Sequence, residues 1–195
     1  MNKPNGYDEV QVGGDFTPIT LGGHHMIIKG VREEKSKTGK DMIVVAFDFA
    51  KNDIQPGYFS ELFEKDIRPE KKWSASGTSW IMTMDYQDPT KVSKSFKSFI
   101  TSFEKSNNVE CSWGKDFCKQ FKDKKIGGVF GEVEEEYNGE VKKRHKLRWF
   151  CEDGKVDGQS VPDPKLLNGA KSPISANTDN SFVNVPDGVG EEIPF

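Results

Sequence analysis

The stretch Ile126-Gly127-Gly128-Val129-Phe130-Gly131-Glu132-Val133-Glu134-Glu135-Glu136-Tyr137-Asn138-Gly139-Glu140-Val141-Lys142-Lys143-Arg144-His145-Lys146-Leu147-Arg148-Trp149 reads as a β-hairpin. Asn138 and Gly139 are the residue types that tolerate the positive φ angles of a two-residue type I′ turn. If that turn sets the register, facing residues sum to 277, so Glu135 faces Lys142, Glu134 faces Lys143 and Phe130 faces Leu147. Charges and apolar side chains then both find cross-strand partners. Strict alternation puts Leu147, Trp149 and Cys151 on one face and Lys142, Arg144, Lys146 and Arg148 on the other. One face is predicted to be core and the other a basic stripe.

Working outward, His24 to Val31 reads as a strand with β-branched residues at its centre and Gly30 placed for a bulge. The charged run Arg32 to Lys40, with Thr38-Gly39, reads as the turn out of it, and Met42 to Phe49 as a second strand. Together they predict a hairpin with a long basic tip. Tyr58 with Leu62, and Phe59 with Phe63, recur at helical spacing within Pro56 to Ile67, which predicts a short amphipathic helix. A third strand is predicted over Ser79 to Tyr86, ended by Asp88-Pro89-Thr90. In Val92 to Lys105 the positions Val92, Phe96, Phe99, Ile100 and Phe103 share one helical face. A second, shorter helix is predicted over Lys115 to Lys124, with Phe117, Cys118 and Phe121 inward.

Strand, strand, strand, helix, strand, strand is the order of the five-stranded Greek-key barrel called the OB-fold. The expected fold is therefore mainly β, with a helix between the third and fourth strands, long loop insertions and a disordered C-terminal tail. Residues 1–20 are read as an N-terminal extension, 21–155 as the barrel domain and 156–195 as a flexible acidic tail. The tail is dominated by Asp, Gly, Ser, Asn, Pro and Val and cannot bury enough apolar surface to offset its ordering entropy. Lys165-Leu166-Leu167 is the one piece of it that could pack on the body.

Charge divides the same way. Up to Cys151 there are 25 Lys and Arg against 23 Asp and Glu, and from Glu152 onward 3 against 8, giving +2 and −5 and the net −3 of the whole chain. A mildly basic body on an acidic tail favours a polyanionic ligand for the body. It also predicts that the tail competes with that ligand, so that deleting the final residues tightens binding at low salt and less so at high salt.

The chain ends Glu191-Glu192-Ile193-Pro194-Phe195. Phe195 suits an apolar pocket, its carboxylate and the two glutamates suit Arg or Lys around the rim, and Pro194 lowers the entropy lost on docking. This ending resembles the C-terminal tip of bacterial and phage single-stranded DNA-binding proteins. With the strand order, the Gly-punctuated first strand and Val45-Ala46-Phe47-Asp48-Phe49-Ala50, the chain is similar to the single-stranded DNA-binding proteins of phages infecting Gram-positive bacteria. The resemblance implies sequence-nonspecific binding of single-stranded DNA in replication, recombination and repair. It also implies recruitment of replication and recombination proteins through the tip; many proteins of this kind form a homo-oligomer through sheet edges, but no self-complementary apolar edge stands out in this sequence.

Such binding needs cations for phosphates and open aromatic faces for bases. Candidate phosphate ligands are Lys29, Arg32, Lys35, Lys37 and Lys40 on the first hairpin and Arg144, Lys146 and Arg148 on the last. Candidate stacking residues are Trp73 after Lys71-Lys72, Tyr58 and Phe59 in the same insertion, and Phe47, Phe49, Trp80 and Tyr86 on strands. A neutralised ribbon, with Glu132 to Glu136 answering Lys142 to Lys146, is the competing reading of the last hairpin.

No membrane span, nucleotide-binding loop, nucleophile motif or paired metal-ligand spacing stands out, so a soluble cytoplasmic protein without cofactor, metal or enzymatic activity is expected. Cys111, Cys118 and Cys151 read as free structural cysteines and His24-His25 as an edge-strand pair. A rival class is an adaptor whose tip mimics a host tail, and a further one a nuclease subunit. RNA is a variant of the first reading, since stacking and phosphate contacts neither require nor exclude a 2′-hydroxyl.

Overall fold

A computed structural model describes residues 17–167. Its strands are β1 (Gly22–Lys35), β2 (Asp41–Phe49), β3 (Thr78–Met82), β4 (Lys125–Tyr137) and β5 (Glu140–Cys151), with helices α1 (Tyr58–Glu64) and α2 (Lys94–Asn107). The strands form one antiparallel sheet in the order β3-β2-β1-β4-β5. Sequence order therefore runs outward in both directions from β1, and His24 and His25 lie on the central strand, not at an edge. Among the described residues no ladder joins β3 to β5, so the sheet is open.

The Asn138-Gly139 turn has φ of 54° and 78°, and β4 and β5 pair as expected from Tyr137↔Glu140 through Phe130↔Leu147. At the next step the register shifts, and Val129 faces Trp149. Arg148 is the extra residue of a β-bulge, which reverses the facing of everything beyond it. Phe150 thereby enters the core, 6.1 Å from the ring of Phe47 and 5.1 Å from that of Phe99. Trp149 and Cys151, expected in the core with Leu147, point to the opposite face. In β1 the expected bulge is present, with the register shifting between Ile28 and Gly30.

One face of the sheet is covered by α2, whose Phe96, Phe99, Ile100 and Phe103 are buried. The Ser93 side chain caps its first turn by accepting from the Phe96 N–H at 3.1 Å, and Asn108 ends it in the left-handed conformation. The core beneath is largely phenylalanine, joined by tilted and edge-to-face contacts such as Phe103–Phe121 at 4.6 Å and Phe47–Phe59 at 5.6 Å. The helix predicted over Lys115 to Lys124 is reduced to a 3-10 turn, Phe117–Phe121, with both terminal phenylalanines buried. β3 ends at Met82, short of Tyr86, because the Asp85 side chain accepts from the backbone of Gln87 and Asp88 and turns the chain.

Past β5 the chain does not leave the body at Val156 but stays on it as far as Lys165, in the segment Lys165-Leu166-Leu167 that could pack there. A 3-10 turn, Asp153–Gly158, buries Val156 against β1 and β4, at positions where only glycine fits. A Cβ on Gly23 would lie 2.3 Å from the Val156 carbonyl, one on Gly127 2.7 Å from its side chain, and one on Gly131 2.5 Å from Pro162. Lys165 then bonds on both sides to β4, donating to Glu132 O at 2.9 Å and accepting from Glu134 N at 2.8 Å. Residues 152–165 form a strap across the face of the sheet opposite α2's phenylalanines.

Candidate nucleic-acid interface

The two unpaired edges of the sheet, β3 and β5, border one groove of about 270 Å³ that reaches the first turns of α2. Trp80 stands on one bank and Trp149 on the other, each half-buried, with Lys146, Arg148 and Lys165 beside Trp149 and the hydroxyls of Ser79, Ser95 and Ser98 between. The β5 bulge gives Trp149 its position, and the strap delivers Lys165.

Three cations close together with one carboxylate set the electrostatics. Glu135 accepts from Lys146 and lies 3.7 Å from the Arg144 guanidinium. Arg148 donates to Asp163 O at 2.9 Å, so its guanidinium anchors the strap while it lines the groove. Burial, then the positive charges of Arg148 and Lys146, hold the Lys165 ammonium below the usual lysine range, against an opposing pull from Glu135. An anion in the groove would relieve that repulsion.

A second row leads to the groove from the first hairpin. Arg32 faces Val44 on β2, and Val44 faces Trp80 on β3, so the three stand abreast on the face away from the core. At the hairpin tip the Lys40 ammonium lies 3.8 Å from the centre of the Tyr86 ring, which is 57 % exposed. Candidates distant in sequence are thus drawn together in space. Arg32 is paired to Glu34 and Lys35 to Asp41, each at 2.6 Å, while Lys29 and Lys37 are exposed and have no ion pair among the described residues.

Other candidates take structural places. Phe47 and Phe49 are 0 % and 3 % exposed; they point into the core, where Phe49 stacks on His24 at 4.1 Å, and cannot meet a base. Trp73 is not an open loop residue, since its indole donates to Gly77 O at 3.1 Å and its ring packs 5.8 Å from Phe63. Tyr58 donates to Thr17 O at 2.8 Å, and burial raises its phenol above the usual value. Lys71 reaches Glu64 O at 2.8 Å, and Lys72 is half-buried beside Asp66. These side chains of the insertion pack on the insertion itself and on the core, and none of them lines the groove. Arg144 stays on the exposed part of β5.

Glu191, Glu192, Ile193, Pro194 and Phe195 lie outside the described residues. Trp149 and Lys165 line the groove but are not among the candidates read from the sequence. Alternation marks Trp149 as internal, and Lys165 reads as a residue that could pack on the body, with nothing to mark it as part of a groove.

The remaining reactive side chains are held in structural roles. Burial, with Asp153 and Glu152 nearby, pushes the Cys151 thiol up to about 11, and His24 is enclosed between Asp53 and Thr20. Among the described residues no three His, Cys, Asp or Glu side chains gather to hold a metal, and no helix is long and apolar enough to cross a membrane. No protein-family model matches the chain, and no curated protein matches its sequence.

Proposed function

We propose that this protein binds single-stranded DNA without reading its sequence, on a barrel of the OB type. The observation that carries the reading is the groove between β3 and β5, which two tryptophans and three cations line together. Indole faces are tolerant platforms for any base, and Lys146, Arg148 and Lys165 suit the phosphates between stacked bases. The sheet order β3-β2-β1-β4-β5 supports the barrel, because β3 and β5 are the strands whose approach would complete it.

In this reading the role is the coating of single strands during phage or bacterial replication, recombination and repair, in the cytoplasm of the host cell. The acid-acid-Ile-Pro-Phe ending recruits partner proteins, and no catalytic step is involved. The test is fluorescence anisotropy of labelled oligo-dT at two salt concentrations, with a duplex of matched length. Tight, salt-sensitive binding to the single strand and weak binding to the duplex is expected. Equal or absent binding to both defeats the reading.

The acidic tip also favours a second reading, an adaptor that diverts the partners of a host tail. That protein would bind no oligonucleotide at any ionic strength, yet a peptide of its last residues would still be captured.

A further inference from the structure

The exposed face of α2 carries a second basic surface. At 100° per residue, Lys94, Lys97, Thr101 and Lys105 fall within an arc of about 80°, centred opposite Phe96, Phe99, Ile100 and Phe103. All three lysines are exposed, and none forms an ion pair among the described residues, unlike the lysines of the β4–β5 ribbon. With Lys155 from the strap they line a shallow depression that holds a single acid, Glu152, already paired to Lys155 at 3.1 Å. Four cations thus meet one anion.

This depression adjoins the tryptophan groove. Ser98 lines both, so a strand leaving the groove past Ser95 and Ser98 arrives on the lysine arc without crossing an acidic ridge. From Lys94 to Lys105 the arc extends about 16 Å along the helix axis. Spaced cations without aromatic neighbours suit a phosphate backbone and give no purchase on bases.

We infer that single-stranded nucleic acid continues from the groove across α2, its phosphates held by Lys94, Lys97 and Lys105. This rests on the groove binding a single strand. It divides the interface into a stacking half on β3 and β5 and a purely electrostatic half on the helix, so that only strands long enough to reach both gain the second.

The test compares wild type with the triple variant Lys94→Gln, Lys97→Gln, Lys105→Gln on oligo-dT of about 5 and about 15 nucleotides, the ends of the site-size range for a domain of this kind. A control triple, Lys115→Gln, Lys122→Gln, Lys124→Gln, carries the same charge change elsewhere, and thermal melts establish that all three fold. The helix variant should bind the long strand roughly tenfold more weakly at low salt, with its salt slope shallower by about 2, and bind the short strand as wild type does. Unchanged long-strand binding, or an equal loss in the control or on the short strand, overturns the helix path and leaves the groove standing. Wild type that binds neither strand overturns both.

Discussion

His25 Nδ1 donates to Asp153 Oδ1 at 2.7 Å, joining the central strand to the strap 128 residues later in the chain. Asp157 lies 3.6 Å from the other ring nitrogen. Burial lowers the imidazole pKa, but the hydrogen bond and charge of Asp153, with those of Asp157, exceed that effect and the net displacement is upward. A group whose pKa rises on folding contributes stability that is complete below its unfolded value, near 6.5, and is lost as pH climbs through the folded value. Thermal melts should therefore show wild type losing stability from pH 6 to pH 8 relative to His25→Gln. Parallel profiles for the two proteins would remove His25 as the source.

Replacing Trp80 or Trp149 singly by Ala should weaken oligo-dT binding by about 1 to 3 kcal/mol each, the worth of one stacked base. Titrating DNA into wild type should quench tryptophan fluorescence, and each variant should lose part of that quench. Trp73→Ala is the contrast. It should lower the melting temperature and leave the affinity of the folded protein unchanged.

Lys165→Gln removes one cation from the groove and leaves the backbone bonds of the strap to β4 in place. Affinity should fall uniformly across base sequences, and the salt slope should drop by about 0.7. A loss confined to particular sequences would argue that Lys165 touches bases instead.

The Gly23 hydrogen faces the Val156 carbonyl, where a methyl group has no flexible neighbour to displace. Gly23→Ala should cost about 1 to 3 kcal/mol and loosen the strap. Limited trypsin digestion, read by mass spectrometry, should then cut at Lys155 and Lys165 sooner than in wild type.

Phe47 lies in the middle of the aromatic core, in contact with Phe59, Phe130 and Phe150. Phe47→Ala should destabilise by about 3 to 5 kcal/mol in chemical denaturation. Native-state DNA affinity should be unaffected.

The strands, the long helix and the hairpin register were legible because each rests on local chemistry. Asn138-Gly139 fixes a turn by its φ angles, and the spacing of Phe96, Phe99 and Phe103 fixes a helix face. What escaped was decided by contacts distant in sequence. The β5 bulge arises where Phe150 must reach Phe99, fifty-one residues upstream. The strap exists because Gly23, Gly127 and Gly131 leave a trough for Val156 and Pro162. Glycines in a strand read as punctuation until the segment that fills the space beside them is known. Phe47 and Phe49 looked like possible stacking residues because alternation alone does not say which face of β2 is inward; both faces are covered, from Met42 to Phe49.

One additional residue in β5, Arg148, gives that strand two allegiances. Its backbone bulge sends Phe150 to the core and Trp149 to the groove, while its guanidinium holds the strap that brings Lys165 there. Were Arg148 to pair regularly with Val129 in place of the bulge, Trp149 and Phe150 would exchange faces. The packing of the core and the lining of the groove thus depend on the backbone at this one residue.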